Sequence, residues 1–298
     1  MFKSIYLFTI IFILILYLIL YKKKINEKFI NIKKKKIALI ICGFAPRSFK
    51  HVLPNIKTNI INHLKFFNFD VDIYHHSLLS KKNKIESERI EEKNFTINNN
   101  DVNLLPCNIQ TEYQEDIILP SNEFNCWYDR NFFKNACRGI YSEYKAYKMI
   151  DPKKYDSVIL ITSDSLFLKP ISIIELNDTI NNKNIIYTTP FNHSGGIANG
   201  FYICHPSVLE KITTRINYFK EYYNFNLSKK SSKQVLNPIY KINSETFLQY
   251  IIDKHKIINK KSSMFYLKIR ANKKSNWYIN FIDKYFILNS LEIKKQFK

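Results

Sequence analysis

The sequence predicts an α/β fold: one mostly parallel sheet flanked by helices, behind a single N-terminal membrane-spanning helix. Three observations predict it. Ile37–Gly43, IALIICG, is a compact apolar run ending in glycine. A helical pattern and a second strand-like run, VDIYHHS over Val71–Ser77, follow within about forty residues, which is the strand–helix–strand signature of a parallel sheet. Before them lies Ile5–Tyr21, IYLFTIIFILILYLILY, with no charged residue. It sits near the short end of the roughly 17–25 residues that span a bilayer.

The first element, residues 1–21, reads as an uncleaved anchor. A cleaved signal peptide would carry a small-residue site after its apolar stretch, and Lys22, Lys23 and Lys24 stand there instead. Residues 22–36 form a basic stem. Lysines on this flank outnumber Lys3 and the amino terminus on the other, and the positive-inside rule then places the large domain in the cytoplasm. The sequons at Asn94, Asn177, Asn192 and Asn226 point the other way, but such triplets arise by chance in an asparagine-rich chain.

Residues 37–298 form the large domain, ample for one core with 46% hydrophobic and 15% aromatic content across the whole chain. After the first strand, Pro46 and Ser48 introduce a helix over Val52–Phe67, with Ile56, Ile60, Ile61 and Leu64 near helical spacing. Residues 81–135 are long, polar and weakly patterned, and read as an insertion. A helix resumes over Ala136–Ile150. Tyr155–Leu168 reads as a buried strand with its exit, Asn184–Thr189 and Gly200–Cys204 as strands, Pro206–Tyr223 and Ser244–Lys256 as helices, the latter capped by Ser244, and Phe265–Arg270 as a late strand.

Composition narrows the partners little. The net charge of +21 would attract nucleic acid, anionic lipid or phosphorylated substrates alike. The abundance of lysine, asparagine and isoleucine is what an AT-rich coding bias produces. No RNA-binding signature or Cys/His finger spacing occurs, so nucleic acid is not an expected partner. The five cysteines include no C-x-x-C pair. Cys42 and Cys204 lie in apolar runs as buried hydrophobes, whereas Cys107, Cys126 and Cys137 lie in polar surroundings where one bridge can form. No nucleophile elbow, Walker loop or His-Glu-x-x-His motif is present.

Three stretches carry candidate chemistry. Asp164 stands directly after an almost wholly apolar strand, as a turn-former or as a ligand at the mouth of an open sheet, where such folds bind their substrates. Gly195-Gly196 and Asn199-Gly200 allow close backbone approach, or a hairpin turn. Glu245 opens a helix, as a functional carboxylate or a capping acid. His75 and His76 follow one another on a strand, so their side chains take opposite faces and cannot share one site. Trp127-Tyr128-Asp129-Arg130 can stack on a sugar or anchor the insertion.

In order, Cys42-Gly43-Phe44-Ala45-Pro46-Arg47, Asp70–His76, the helix around Tyr141–Met149, Tyr155–Val158, Asp164, Gly196–Phe201 and Ser244-Glu245 resemble the GT-A-type nucleotide-diphospho-sugar transferases. The resemblance covers Ile37–Arg270, and its motifs are short; their order carries it. It implies a GT-A-like, Rossmann-type domain and a glycosyltransferase moving sugar from a nucleotide-diphosphate donor to a glycan, protein or lipid acceptor. It implies that Asp164 binds a divalent cation, Mn²⁺ or Mg²⁺, that Gly43, Phe44 and Arg47 lie near the nucleotide with Arg47 facing its diphosphate, and that Gly196, Asn199 and Gly200 line the acceptor side. Glu245 becomes the candidate base. The chain departs from the family's Asp-x-Asp or Arg-x-Asp motif: Thr162, Ser163 and Ser165 flank the single acid. That departure leaves a lysine in place of metal, or a non-catalytic glycan- or partner-binding protein, as alternatives.

Overall fold

A computed structural model describes residues 34–85, 95–118, 130–191, 196–230 and 243–272. The chain divides into two units, Met1–Lys35 and Lys36–Lys298, and only Lys34 and Lys35 of the first are described. The apolar segment 5–21, Cys126, Trp127–Asp129 and Gly195 therefore lie outside the described residues. Among the described residues no helix is long and apolar enough to cross a membrane.

A seven-stranded sheet organises the second unit, in the order β3-β2-β1-β4-β7-β6-β8. β1 (Lys36–Gly43) lies parallel to β2 (Asp70–Leu79) and to β4 (Ser157–Thr162), and β2 is parallel to β3 (Asn108–Tyr113). β7 (Phe201–Cys204) runs antiparallel to both β4 and β6 (Ile185–Thr188), and β6 is parallel to the edge strand β8 (Ile258–Lys261). Only β7 is reversed. This mostly parallel sheet, covered by helices, fits a GT-A-like, Rossmann-type layout.

The central strands are apolar on both faces because both faces are covered. Side chains alternate across a strand, so Ile37, Leu39, Ile41, Ile159 and Ile161 enter one core. There they meet α1 (Phe49–Ile56) and its continuation through a π-helical stretch, Lys57–Asn62, into α2 (His63–Phe66). Ala38, Ile40, Cys42, Val158 and Leu160 enter the other core, against α3 (Arg130–Lys148) and helices near the C-terminal end of the described chain. α4 (Ile173–Asn181) contacts β4, β6 and β7. The three-layer arrangement follows directly from strands that are apolar at every position.

β4 stops at Thr162, as the apolar run Ser157–Thr162 predicts, and the apolar run after Asp164 forms β5 (Ser165–Phe167), which pairs with β9 (Tyr266–Lys268) in a separate two-stranded sheet. The polar run Thr-Ser-Asp-Ser separates the two strands. Ser163 N–H donates to the Cys42 carbonyl at 2.9 Å, and the Thr162 and Ser165 hydroxyls bond at 2.8 Å, which closes a turn. Several other elements differ from the expected ones. The expected insertion supplies β3, an edge strand of the main sheet. The helix from Pro206 divides into α5 (Pro206–Thr213) and α6 (Phe219–Lys230) across a 3₁₀ stretch, Thr214–Tyr218. α7 (Ser244–Lys254) is capped by Asn243 rather than Ser244: its side chain accepts from Thr246 N–H at 2.7 Å in a capping box. Asn199-Gly200 forms no two-residue hairpin, because a long connection separates β6 from β7. Cys42 and Cys204 are buried free thiols, as expected, and Cys107 is also free.

Arg215, wholly buried, lies 2.8 Å from Glu143 of α3 and also donates to the Ile212 carbonyl at 2.7 Å. Burial alone would lower the guanidinium pKa; the Glu143 carboxylate and neighbouring Tyr202 outweigh that and raise it. A charge so placed needs its partner, and the pair fastens the turn after α5 to α3.

Candidate active site at the carboxyl ends of β1 and β4

In an open α/β sheet the ligand crevice lies beyond the carboxyl ends of the strands, where the strand order changes direction. Here that point is between β1 and β4: the chain leaves β1 towards β2 on one side and later returns through β4 on the other. Gly43 ends β1 and Asp164 follows β4, so both border this crevice. Gly43 adopts φ +114°, a conformation open to glycine, with the Ser163 hydroxyl 3.4 Å from where a Cβ would stand. Thus the two strand ends pack closely.

Three interactions hold the loop after β1. Gly43 N–H donates to the Ser142 hydroxyl of α3 at 2.8 Å. Ala45 N–H donates to the Ser77 hydroxyl of β2 at 3.3 Å. Ala45–Arg47 then form a 3₁₀ turn, closed from Arg47 N–H to the Phe44 carbonyl at 3.2 Å. Phe44 packs against the small cluster of Ile85, Ile97 and Ala271. That contact ties the loop to the chain just after Arg270.

Asp164 is nearly buried, and its Oδ1 makes no hydrogen bond among the described residues. Burial pushes its carboxyl pKa up, but Lys268, Arg270 and Arg47 outweigh this and hold it below the usual carboxylate value. Arg270 Nη1 lies 3.9 Å from Asp164 Oδ2. The register explains the convergence. β9 pairs Lys268 with Ser165, and Ile269 N–H donates to the Asp164 carbonyl at 2.8 Å. Lys268 and Arg270 are two apart on an extended segment, which sends them to the same side. Sequence reasoning named Arg47 and missed these two cations. The K-x-R spacing in the late strand was the signal available.

The loop 196–200 connects this group to α7. Thr162 N–H donates to the Gly200 carbonyl at 3.0 Å. Gly200 has φ +89°, and a Cβ there would stand 3.0 Å from Thr162 Cγ2 and 3.5 Å from Lys268 Nζ. Tyr266 donates its hydroxyl to the Asn199 carbonyl at 3.1 Å. At the loop's other end Ile197 N–H donates to the Glu245 carbonyl at 3.0 Å, and a side chain at Gly196 would overlap that carbonyl. The Glu245 carboxylate itself receives the Ser244 hydroxyl at 2.9 Å. Thus Gly43, Arg47, Asp164 and Gly200 come together, and Gly196 meets the Glu245 backbone. The Glu245 side chain makes no described contact with Asp164.

His75 and His76 do take opposite faces. Both are buried: His75 lies 4.7 Å from Phe49 with the rings tilted, and His76 Nδ1 lies 2.9 Å from the Ser142 hydroxyl. Desolvation lowers His75 to about 3, with His76 adding to the effect. It lowers His76 to about 4 against the opposing pull of Glu112, 3.5 Å from Nε2. Both rings are therefore neutral at physiological pH, and His76 supports the Gly43 loop from behind through Ser142.

The divalent cation expected at Asp164 is a poor match for these residues. Mg²⁺ typically uses one or two carboxylates plus water and substrate phosphates. One carboxylate is offered here, and among the described residues no group of three His, Cys, Asp or Glu side chains is placed to hold a metal. More decisive is the charge around it. At about 4 Å and an effective dielectric near 20, two unit charges interact by about 4 kcal/mol. A divalent ion there would be drawn by one negative charge and repelled by the positive charges near it. The Asp164 carboxylate is already compensated by Lys268, Arg270 and Arg47.

No family model matches the chain, and no curated protein does. Among solved structures, mouse xyloside xylosyltransferase 1 in its apo form is similar at 11% identity and TM-score 0.36, over 76% of this chain and 84% of that one. A Bacillus anthracis protein assigned as a glucose-1-phosphate thymidylyltransferase, crystallised with sucrose, is similar at 11% identity and TM-score 0.36, over 79% and 89%. The glycosyltransferase GlyE of Streptococcus pneumoniae TIGR4 is similar at 12% identity and TM-score 0.30, over 78% of this chain and 46% of that one.

Proposed function

We propose that the chain is a glycosyltransferase that takes sugar from a nucleotide-diphosphate donor, bound in the crevice between β1 and β4, and is held to a membrane by residues 5–21. The observation that carries this reading is the approach of Arg270 to 3.9 Å from Asp164, with Lys268 paired opposite Ser165, at the carboxyl ends of those two strands, where Arg47 adds its charge. A nucleoside diphosphate leaving group gains negative charge as the glycosidic bond breaks. Fixed cations in a nearly dry site stabilise that charge with little reorganisation. Gly43 and Phe44 would border the nucleotide, and the loop Gly196–Gly200 would line the acceptor side. The acceptor hydroxyl must lose a proton as it attacks, and Glu245, half-buried at the start of α7, is the candidate to receive it. The acceptor is a glycan, protein or lipid, and the positive-inside asymmetry favours a cytoplasmic catalytic domain.

A second reading, a non-catalytic glycan- or partner-binding protein on the same scaffold, is favoured by the engagement of Glu245 with Ser244 and by the lone acid of the 162–165 turn. Thermal melting of the detergent-solubilised full chain against a panel of nucleotide-sugars separates the two, followed by donor hydrolysis with the best stabiliser. The transferase reading expects one donor to raise the melting temperature and to be turned over, with turnover reduced at least tenfold in Arg47→Gln. Stabilisation by a free glycan, with no response to any nucleotide-sugar, would establish the second reading in its place.

A further inference from the structure

We propose that Arg47, Lys268 and Arg270 form a metal-independent cradle for a diphosphate, and that Asp164 is the positioning residue that orients these cations rather than a metal ligand. The inference rests on the nucleotide-sugar reading only for the identity of what the diphosphate is attached to.

Three features support it. The cations come from separate parts of the chain, the loop after β1 and the segment of β9, and the fold brings them to one acid. Two direct contacts hold the β9 segment there: Ile269 N–H bonds the Asp164 carbonyl at 2.8 Å, and Arg270 Nη1 stands 3.9 Å from Asp164 Oδ2. Lys268 is half-buried and passes beside Gly200, whose lack of a side chain leaves its ammonium room. A diphosphate needs neutralising charge spread over several oxygens, and guanidinium groups bind such oxygens in bidentate fashion. Three cations around one buried carboxylate leave a net positive site, the sign that draws a diphosphate and repels a divalent cation. Asp164, central and nearly buried, suits the role of a counter-charge that keeps like charges close together before the anion arrives.

Metal-ligand and positioning roles predict opposite results. Inorganic pyrophosphate is the probe, titrated calorimetrically into the detergent-solubilised full chain with excess EDTA and, separately, with Mg²⁺. The cradle expects binding in EDTA, with affinity changed less than threefold by Mg²⁺. Lys268→Met and Arg270→Met each weaken it at least tenfold. Should either fail to fold, Arg47→Gln, on the half-exposed loop, supplies the same measurement. Asp164→Asn keeps the shape but removes the counter-charge that orients the cations, so it weakens pyrophosphate binding to the same extent in EDTA and in Mg²⁺. Binding seen only with Mg²⁺ and abolished by Asp164→Asn would overturn the cradle and leave the nucleotide-sugar reading standing. Binding of pyrophosphate in EDTA without response to any nucleotide-sugar would support the cradle and remove that reading. Absence of binding in both conditions would remove both.

Discussion

Among the described residues His75 has no hydrogen-bond partner at either ring nitrogen, and both lie out of reach of solvent. Leaving such groups unmade costs stability, and the cost grows if the ring must take a proton. Its neighbours are Phe49 on one side and, across the strand, His76, which faces Glu112 and, beyond it, Lys145. The folded pKa values, about 3 for His75 and about 4 for His76, lie below the ordinary 6.5. Between those limits the unfolded chain binds protons that the folded chain refuses. Stability therefore falls as pH drops below about 6.5 and stops falling on this account near pH 3–4. Each histidine contributes a slope of up to about 1.4 kcal/mol per pH unit. Between pH 5 and 6.5 the carboxylates are largely ionised in both states, while His205 and His255, also lowered by burial, add to the same slope. Urea unfolding there is expected to show the slope, and His75→Leu to make it shallower without loss of stability at pH 7. An unaltered slope in that variant would refute the assignment.

At the scale of elements, glycine use marks where segments touch. Gly139 lies within α3 with nothing within 4 Å of a Cβ placed on it, so Gly139→Ala gains helix propensity, roughly 0.5–1 kcal/mol. Gly196 is the opposite case: a Cβ would overlap the Glu245 carbonyl and the Thr246 nitrogen, which are backbone and cannot turn aside. Gly196→Ala must part the loop from α7 and break the bond from Ile197 N–H, a loss of about 1–3 kcal/mol. Paired denaturation curves should move in opposite directions, and an unchanged midpoint for Gly196→Ala would contradict the contact. What the sequence disclosed follows the same logic of local signal. β1, β2 and β4 were legible because central parallel strands are apolar on both faces. β3, with Asn108, Gln110, Thr111 and Glu112 half or fully exposed, and β8, INKK, were not, because edge strands carry polar residues and have no strong alternation to betray them. Asp164 was legible as an acid after an apolar run. Lys268 and Arg270 were hidden among many lysines and arginines, and only the pairing of β9 with β5 reveals which of them meet the acid.

For the molecule as a whole, stability and binding share one sheet but act on different parts of it. β1 is buried over Ile37–Cys42 and β4 over Ser157–Ile161, while β3 and β8 form edges with exposed residues. Amides in the central strands are expected to exchange hydrogen only through global unfolding, and edge amides through local opening. A ligand that binds the folded state alone adds about 2.7 kcal/mol of stability at one hundred times its Kd. Saturating pyrophosphate should then slow exchange about 100-fold in β1 and β4, whose opening requires loss of the site. At residues 43–47, 163–168 and 266–270 it should slow exchange by direct ordering. In β3 and β8, remote from the carboxyl ends of β1 and β4 in the sheet order, local opening leaves the crevice intact and exchange should be unchanged. Equal slowing in every strand would mean that the sheet opens only as one unit. Slowing confined to the edges would place the anion somewhere other than between β1 and β4, because a ligand there cannot spare the two strands whose ends form its site.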